Sequence, residues 1–260
     1  MLFRSTLQKI AGILSPTHAC VVWDAGLDTE RTRELPQYKA NRSETPEALS
    51  LQIPQIMQWL DAAGWPQLER PGTEADDWIA TLAARASAHG WAVTIASADK
   101  DFMQLVGTDV RLLNPNDKSD RPWGPAEVEA KTGVPPRLVA DWLALVGDSV
   151  DNIPGVPGVG PKTAADLLNK FGSADAALAA APGIKAERLR AELLGATETV
   201  RRNRVMVRLK GDLPDGPEIE SLVPRPRDAA RLRPMYQRWN FRSLLAELPA
   251  DGGPVQGELL

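Results

Sequence analysis

Cysteine is nearly missing from this chain. Cys20 is the single one among 260 residues, which excludes an intrachain disulfide, a cage of cysteines around zinc and a CxxC redox pair. It sits in the apolar run Ala19-Cys20-Val21-Val22-Trp23 and reads as a small buried hydrophobe. Histidine is almost as scarce. His18 and His89 are the only two, which argues against a histidine-activated nucleophile or a zinc site. No stretch approaches the about 18 consecutive apolar residues that a membrane span needs, and no basic-then-apolar leader opens the chain. The expectation is a soluble, cytoplasmic protein.

What remains is ordinary globular material, 43% hydrophobic and 25% charged, long enough for one large domain or two small ones. The net charge of −4 weighs lightly against a nucleic-acid partner. Eight of the 34 acids fall in four tight groups, and the 26 left over face 30 bases. Metals bound at the groups would leave a mildly basic surface.

Apolar spacing predicts a helix over 2–14, with Phe3, Leu7, Ile10 and Leu14 on one stripe. A buried strand follows over 19–23 and ends at Asp24. The polar, basic stretch 25–44 reads as loop or mobile segment. A helix over 45–63 should kink at Pro54. Thr73 is a good N-cap for a helix over 74–89, closed by Gly90. Strands are expected over 91–97 and 110–113. Strand, helix and strand with short links imply a parallel sheet, whose ligands bind beyond the carboxyl ends of the strands. From about Pro122 the spacing is helical throughout, over 138–146, 164–171, 174–180 and 189–207, with a last helix over 236–248. The expected organisation is an α/β core over 1–121, a helical part over 122–225, a helical segment over 226–248 and a flexible tail over 249–260.

The acid groups are Asp24; Glu74, Asp76 and Asp77; Asp99 and Asp101; Asp148 and Asp151. Magnesium takes oxygen ligands from separate elements and lets phosphate complete its shell. Two such ions about 4 Å apart serve phosphodiester hydrolysis. On an ideal helix Glu74 and Asp77 lie about 60° apart while Asp76 points elsewhere. Asp99 and Asp101 share a face if the strand before them continues, and Asp148 and Asp151 share one if that stretch is helical. The Glu-Ala-Asp-Asp run reads equally well as an acidic helix start that favours the helix dipole.

Gly155-Val156-Pro157-Gly158-Val159-Gly160-Pro161-Lys162-Thr163 is not a P-loop, since Pro161 separates Gly160 from Lys162 and no strand precedes it. Pro161 suits the first position of a helix that Gly172 closes. Glycine amides at a helix N-terminus grip phosphate without reading sequence; a plain structural turn is the other reading. Arg31, Lys39 and Arg42 form a basic run, a solvated face in most proteins but beside phosphodiester chemistry a phosphate grip.

Five stretches now act together: Val21-Val22-Trp23-Asp24, Tyr38-Lys39-Ala40-Asn41-Arg42, Gly72-Thr73-Glu74-Ala75-Asp76-Asp77, Ala98-Asp99-Lys100-Asp101, and Gly147-Asp148-Ser149-Val150-Asp151-Asn152-Ile153-Pro154-Gly155-Val156. They resemble the 5′–3′ exonuclease domain of bacterial DNA polymerase I and its stand-alone relatives, the 5′-nuclease or flap endonuclease family, over nearly the whole chain to about Leu248. The resemblance implies a PIN-like parallel-sheet core followed by a SAM-like helix–hairpin–helix subdomain. It implies two-metal hydrolysis of DNA near a free 5′ end, flap or nick, with magnesium as the metal and manganese as a substitute. Asp24, Glu74 and Asp76 would serve the first ion with Asp77 close behind; Asp99, Asp101, Asp148 and Asp151 would serve the second. Lys39 and Arg42 would contact the scissile phosphate from the base of a mobile arch, and Arg31 matches a further basic position. Gly155, Gly158, Gly160 and Lys162 would touch duplex DNA, at a turn where the family often holds potassium. No polymerase region follows Leu248, which suggests a free-standing nuclease, and with no coiled-coil seam or large apolar patch evident a monomer is expected; primer removal or repair is the pathway the family suggests.

One departure stands out. Family members open with a strand ending in aspartate ahead of the first helix, and here the sequence starts inside that helix. The expectation drawn from this is a natural protein some tens of residues longer, its start assigned too far downstream. The alternatives are a truncated chain that grips branched DNA without cutting it well, and, more weakly, a ribonuclease of the related small-domain type, which lacks the helical hairpin.

Overall fold

The computed structural model describes residues 2–249, which gather into two compact units. One comprises residues 2–24, 44–70 and 215–249; the other comprises 25–43 and 71–214. The composition change at 121/122 falls inside the second unit. The expected flexible tail, apart from Pro249, lies outside the described residues.

In the first unit the helix Leu2–Leu14 forms as its apolar stripe demands, burying Ala11. Strand β1 (Val21–Trp23) pairs in parallel with β2 (Gln67–Glu69), Val22 opposite Leu68. The helix expected over 45–63 is two helices, Glu47–Ser50 and Ile53–Ala62. Pro54 falls in the first turn of the second, where a missing N–H breaks no hydrogen bond, so it starts a helix instead of kinking one. Trp59, Leu60, Ala62 and Trp65 pack into a core with Leu232, Tyr236, Leu244 and Leu248. Those partners ride on the helices Ala229–Arg238 and Arg242–Ala246. Trp59 donates its indole N–H to the Tyr236 hydroxyl at 3.1 Å, which satisfies the polar tip of a buried ring.

In the second unit the helix Ala75–Ala88 leads into β3 (Val93–Ala96), which pairs in parallel with β4 (Val110–Leu113). Glu74, not Thr73, takes the N-cap position, and the Thr73 hydroxyl accepts the Trp78 indole N–H at 2.8 Å. The parallel pairing agrees with expectation, but among the described residues it forms two separate two-stranded ladders, one per unit. The helical part follows: Val139–Val146, Pro161–Phe171, Ala174–Ala179, Glu187–Leu194 and Thr197–Val207. The expected run 189–207 is broken near Gly195. Ile95 and Leu112 of the ladder share one core with Leu143, Leu145, Leu168, Leu193 and Met206 of the helices. Burying each such leucine contributes roughly 2 kcal/mol. No helix among the described residues is long and apolar enough to cross a membrane.

Candidate active site

The stretch 25–44, expected as loop or mobile segment, is part helix and part turn. Thr29–Glu34 is helical, and its N-cap Asp28 accepts the backbone N–H groups of Glu30 and Arg31 at 2.8 and 2.9 Å. Asp28 is buried and also takes the Lys210 ammonium at 2.9 Å. The following residues, 37–42, are fastened to the turn 148–152. Lys39 N–H donates to the Asp151 carbonyl at 3.0 Å, the Asn41 amide to the Ser149 carbonyl at 2.8 Å, and the Asn152 amide to the Gln37 carbonyl at 2.7 Å. Lys39 and Asn152 both carry a positive φ, 56° and 57°, an uncommon backbone for non-glycine residues that clusters at functional sites.

Asp148 and Asp151 do not lie on a helix. Gly147 ends the helix at a φ of 78° and starts a short antiparallel pair, β5 (Gly147–Asp148) with β6 (Ile153–Pro154). Asp148 ends β5 and Asp151 lies in the turn that joins the pair. A Cβ on Gly147 would run into the backbone of Gly155, and one on Gly155 into the Val146 carbonyl. Gly155 is therefore required by packing, which the phosphate-turn reading did not foresee. Asn203, fully buried on the helix Thr197–Val207, donates its amide to the carbonyls of Ala144 at 2.9 Å and Pro154 at 2.8 Å. It pins both feet of the turn. A cleft of about 450 Å³ opens beside Asp148, walled by Leu35, Gln37, Asn152 and Ile153.

Seven of the eight expected acids belong to the second unit; Asp24 follows β1 in the first. Glu74 and Asp77 are buried at the start of the helix Ala75–Ala88, and Asp76 is half-buried beside them. Glu74 accepts Arg31 at 2.9 Å and the Tyr38 hydroxyl at 3.0 Å on Oε2, and the Lys39 ammonium at 2.6 Å on Oε1. Burial, then the charges of Glu74 and Asp151, raise the pKa of Tyr38, so it stays a proton donor. Asp99 does not alternate along a continued strand. It caps the 3-10 turn Lys100–Leu105, accepting the Asp101 N–H at 2.9 Å. Asp148 takes the Lys100 ammonium at 3.0 Å, and Asp151 takes Arg42 at 2.6 Å.

Asp101 is the exception among these acids. Its Oδ1 is closed off from solvent without a hydrogen-bond partner. Burial, followed by the charges of Asp99 and Asp148, pushes its pKa up to about 8 against the pull of Lys100. A carboxyl in that condition keeps its proton at neutral pH, and a bound cation would favour its ionised form. Divalent magnesium or manganese suits an all-oxygen set of this kind. Among the described residues no three of the acids converge into a ready-made cage, and Lys39, Lys100, Arg31 and Arg42 serve as counter-ions.

Arg31 needs correction as a DNA contact. Its side chain is 2% exposed and spent on Glu74 and Asp77, so it has no face to offer a substrate. Lys39 is buried as well, while Arg42 and Lys162 are exposed. The glycine turn is as expected: Gly158 has a φ of 74°, Gly160 is the N-cap, Pro161 opens the helix and Gly172 closes it in the left-handed conformation. Tyr38 and Lys100 were not picked out as site residues from the sequence. Their one signal was placement beside Lys39 and between Asp99 and Asp101.

Comparison with known proteins matches these features. The family model for the 5′-3′ exonuclease N-terminal resolvase-like domain covers residues 1–133, and that for the 5′-3′ exonuclease C-terminal SAM fold covers 134–230. A 5′-3′ exonuclease of Aquifex aeolicus is 40% identical over 233 residues, 90% of this chain and 78% of that protein. DNA polymerase I of Rhizobium leguminosarum is 41% identical over 243 residues, 94% of this chain; the chain spans only 24% of that polymerase's length. Among solved structures, T5 5′-exonuclease with divalent metal ions (zinc) bound superposes with a TM-score of 0.70 at 22% identity, covering 95% of this chain and 89% of that one. The bacteriophage T5 flap endonuclease complex with DNA and metal ions gives 0.69 at 22% identity, covering 94% and 88%. The fold is thus a resolvase-like, PIN-type domain with a C-terminal SAM fold, and the chain belongs to the 5′-3′ exonuclease family.

Proposed function

We propose that this chain is a divalent-metal-dependent 5′–3′ exonuclease and flap endonuclease that hydrolyses DNA phosphodiesters near a free 5′ end. The observation that carries the reading is Asp101, an ionisable oxygen sealed from solvent with no partner, facing two further acids. Asp99, Asp101, Asp148 and Asp151 would hold one magnesium or manganese ion. Glu74 and Asp76 would hold a second. Asp77, whose two oxygens accept three hydrogen bonds from Arg31 and the Lys210 N–H, serves by position. When bound, the ions supply charge neutralisation at the phosphate and lower the pKa of water.

The chain's own residues do the rest. Lys39 and Arg42 set two cations beside the acids, where a scissile phosphate needs them. The helix Pro161–Phe171 offers first-turn amides that have no intrahelical acceptor, with Gly158 and Gly160 leaving open space before them. Lys162 adds a charge. This turn would hold the duplex backbone, with potassium as a further ligand. We place the protein in the cytoplasm as a monomer. The absence of a ready-made cage among the described residues favours a second reading, a branched-DNA binder that cuts poorly. A labelled 5′-flap duplex in magnesium separates the two. Cleavage by the parent, abolished by chelator and by Asp99→Ala with Asp101→Ala, supports the nuclease; binding without cleavage by either protein supports the binder.

A further inference from the structure

Arg31 presents five N–H donors, and all five are used. Nε donates to the Met206 carbonyl at 3.0 Å. Nη1 donates to Glu74 Oε2 and Asp77 Oδ2, both at 2.9 Å. Nη2 donates to Asp77 Oδ1 at 2.8 Å and to the Arg208 carbonyl at 3.1 Å. Burial opposes its charge, but the hydrogen bond to Asp77 and the charges of Asp77 and Glu74 outweigh it, and the pKa rises. It is a permanent buried cation.

The two oxygens of Glu74 are therefore unequal. Oε2 is held by a rigid planar fork and by the Tyr38 hydroxyl, while Oε1 meets only the flexible ammonium of Lys39. Stability alone does not account for such a site, because well-packed apolar side chains of similar volume often match or exceed a buried ion pair. We propose that Arg31 is a positioning residue. It fixes Glu74 through Oε2 and the Asp77 fork, so that Oε1 alone is offered for exchange, and it touches neither substrate nor cation itself. This rests on the reading that Glu74 serves the metal-dependent reaction. Lysine cannot replace it, since one ammonium cannot span Asp77, Glu74 and two carbonyls at once.

The test compares Arg31→Lys and Asp77→Asn with a control, Thr81→Val. The Thr81 hydroxyl fastens the same segment, donating to the Lys210 carbonyl at 3.0 Å and accepting the Leu213 N–H at 3.2 Å, without touching either acid. Thermal midpoints are matched by choice of temperature. Calorimetric titration of the DNA-free full chain with Mn2+ should show roughly 10–100-fold weaker binding for Arg31→Lys and Asp77→Asn, the loss typical of residues that orient metal ligands, with Thr81→Val at parent affinity. On a 5′-flap duplex, kcat should fall by a similar factor with KM little changed. Should Arg31→Lys not fold, the isosteric Asp77→Asn carries the comparison. Parent-like Mn2+ affinity in both fork variants, equal losses in all three, or no Mn2+ binding by the parent would each overturn the assignment. A parent that binds Mn2+ but cuts no DNA defeats the nuclease reading alone, and the affinities still decide the role of Arg31.

Discussion

Replacing Asp101 by asparagine should make the metal-free protein more stable, and by an amount that depends on pH. The side chain titrates near 3.8 when unfolded and at about 8 in the fold. A group whose pKa is raised by folding contributes its full stability below the unfolded value and loses it as pH climbs through the folded value. The loss should therefore begin near pH 4 and level off near pH 8. At 1.36 kcal/mol per unit it amounts to roughly 4 kcal/mol at pH 7, a large part of a typical domain's stability. Urea unfolding of parent and Asp101→Asn in chelator, from pH 4 to 9, measures it. The two curves should diverge as pH rises, with the variant above. Magnesium should then stabilise the parent more than the variant and narrow the gap. Curves that stay parallel across this range would refute the account of Asp101 as a carboxyl that keeps its proton at neutral pH.

Three further outcomes are expected. Asn203→Ala removes the buried amide that donates to the carbonyls of Ala144 and Pro154 and should cost about 2–4 kcal/mol in denaturant titration. Gly147→Ala drives a Cβ into the Gly155 backbone and should yield no folded protein, judged by loss of cooperative thermal unfolding. Magnesium should release Lys39 from Glu74 Oε1, so amine labelling read by mass spectrometry should rise at Lys39 on adding the ion and be high without it in Glu74→Gln.

Local chemistry was easy to read. Pro161 and Gly172 bound their helix because each acts on its own turn, and the apolar stripe of residues 2–14 needs no partner to declare itself. The acid groups were visible because carboxylates crowd together seldom. What escaped is held from far away. The helix Thr29–Glu34 looks like a polar loop until Arg31 meets Glu74 and Asp77, 43 and 46 residues on. Charge in a basic run is ordinarily solvated, so its burial had no local sign; the hint lay in Glu74 and Asp77 opening a helix whose next turn is apolar. Whether the stretch bearing Asp148 and Asp151 is helical could not be read from spacing, because nothing adjacent reveals that Gly147 must lie against Gly155. Pro54 reads as a kink in one helix, and nothing local shows that it instead stands in the first turn of a second one.

The interleaving of the two units has a consequence for synthesis. A ribosome delivers residues in order, and the second unit has all of its chain once Pro214 emerges. The first unit has its opening helix and Trp59, Leu60 and Trp65 long before, yet the residues that cover them, Leu232, Tyr236, Leu244 and Leu248, come last. Two tryptophans must wait, bare, through about 170 further additions of amino acid, from Trp59 to Leu232. The nascent chain should thus be most prone to aggregation while its site-bearing unit is already closing, and the emergence of residues 232–248, not folding of that unit, should end its dependence on chaperones.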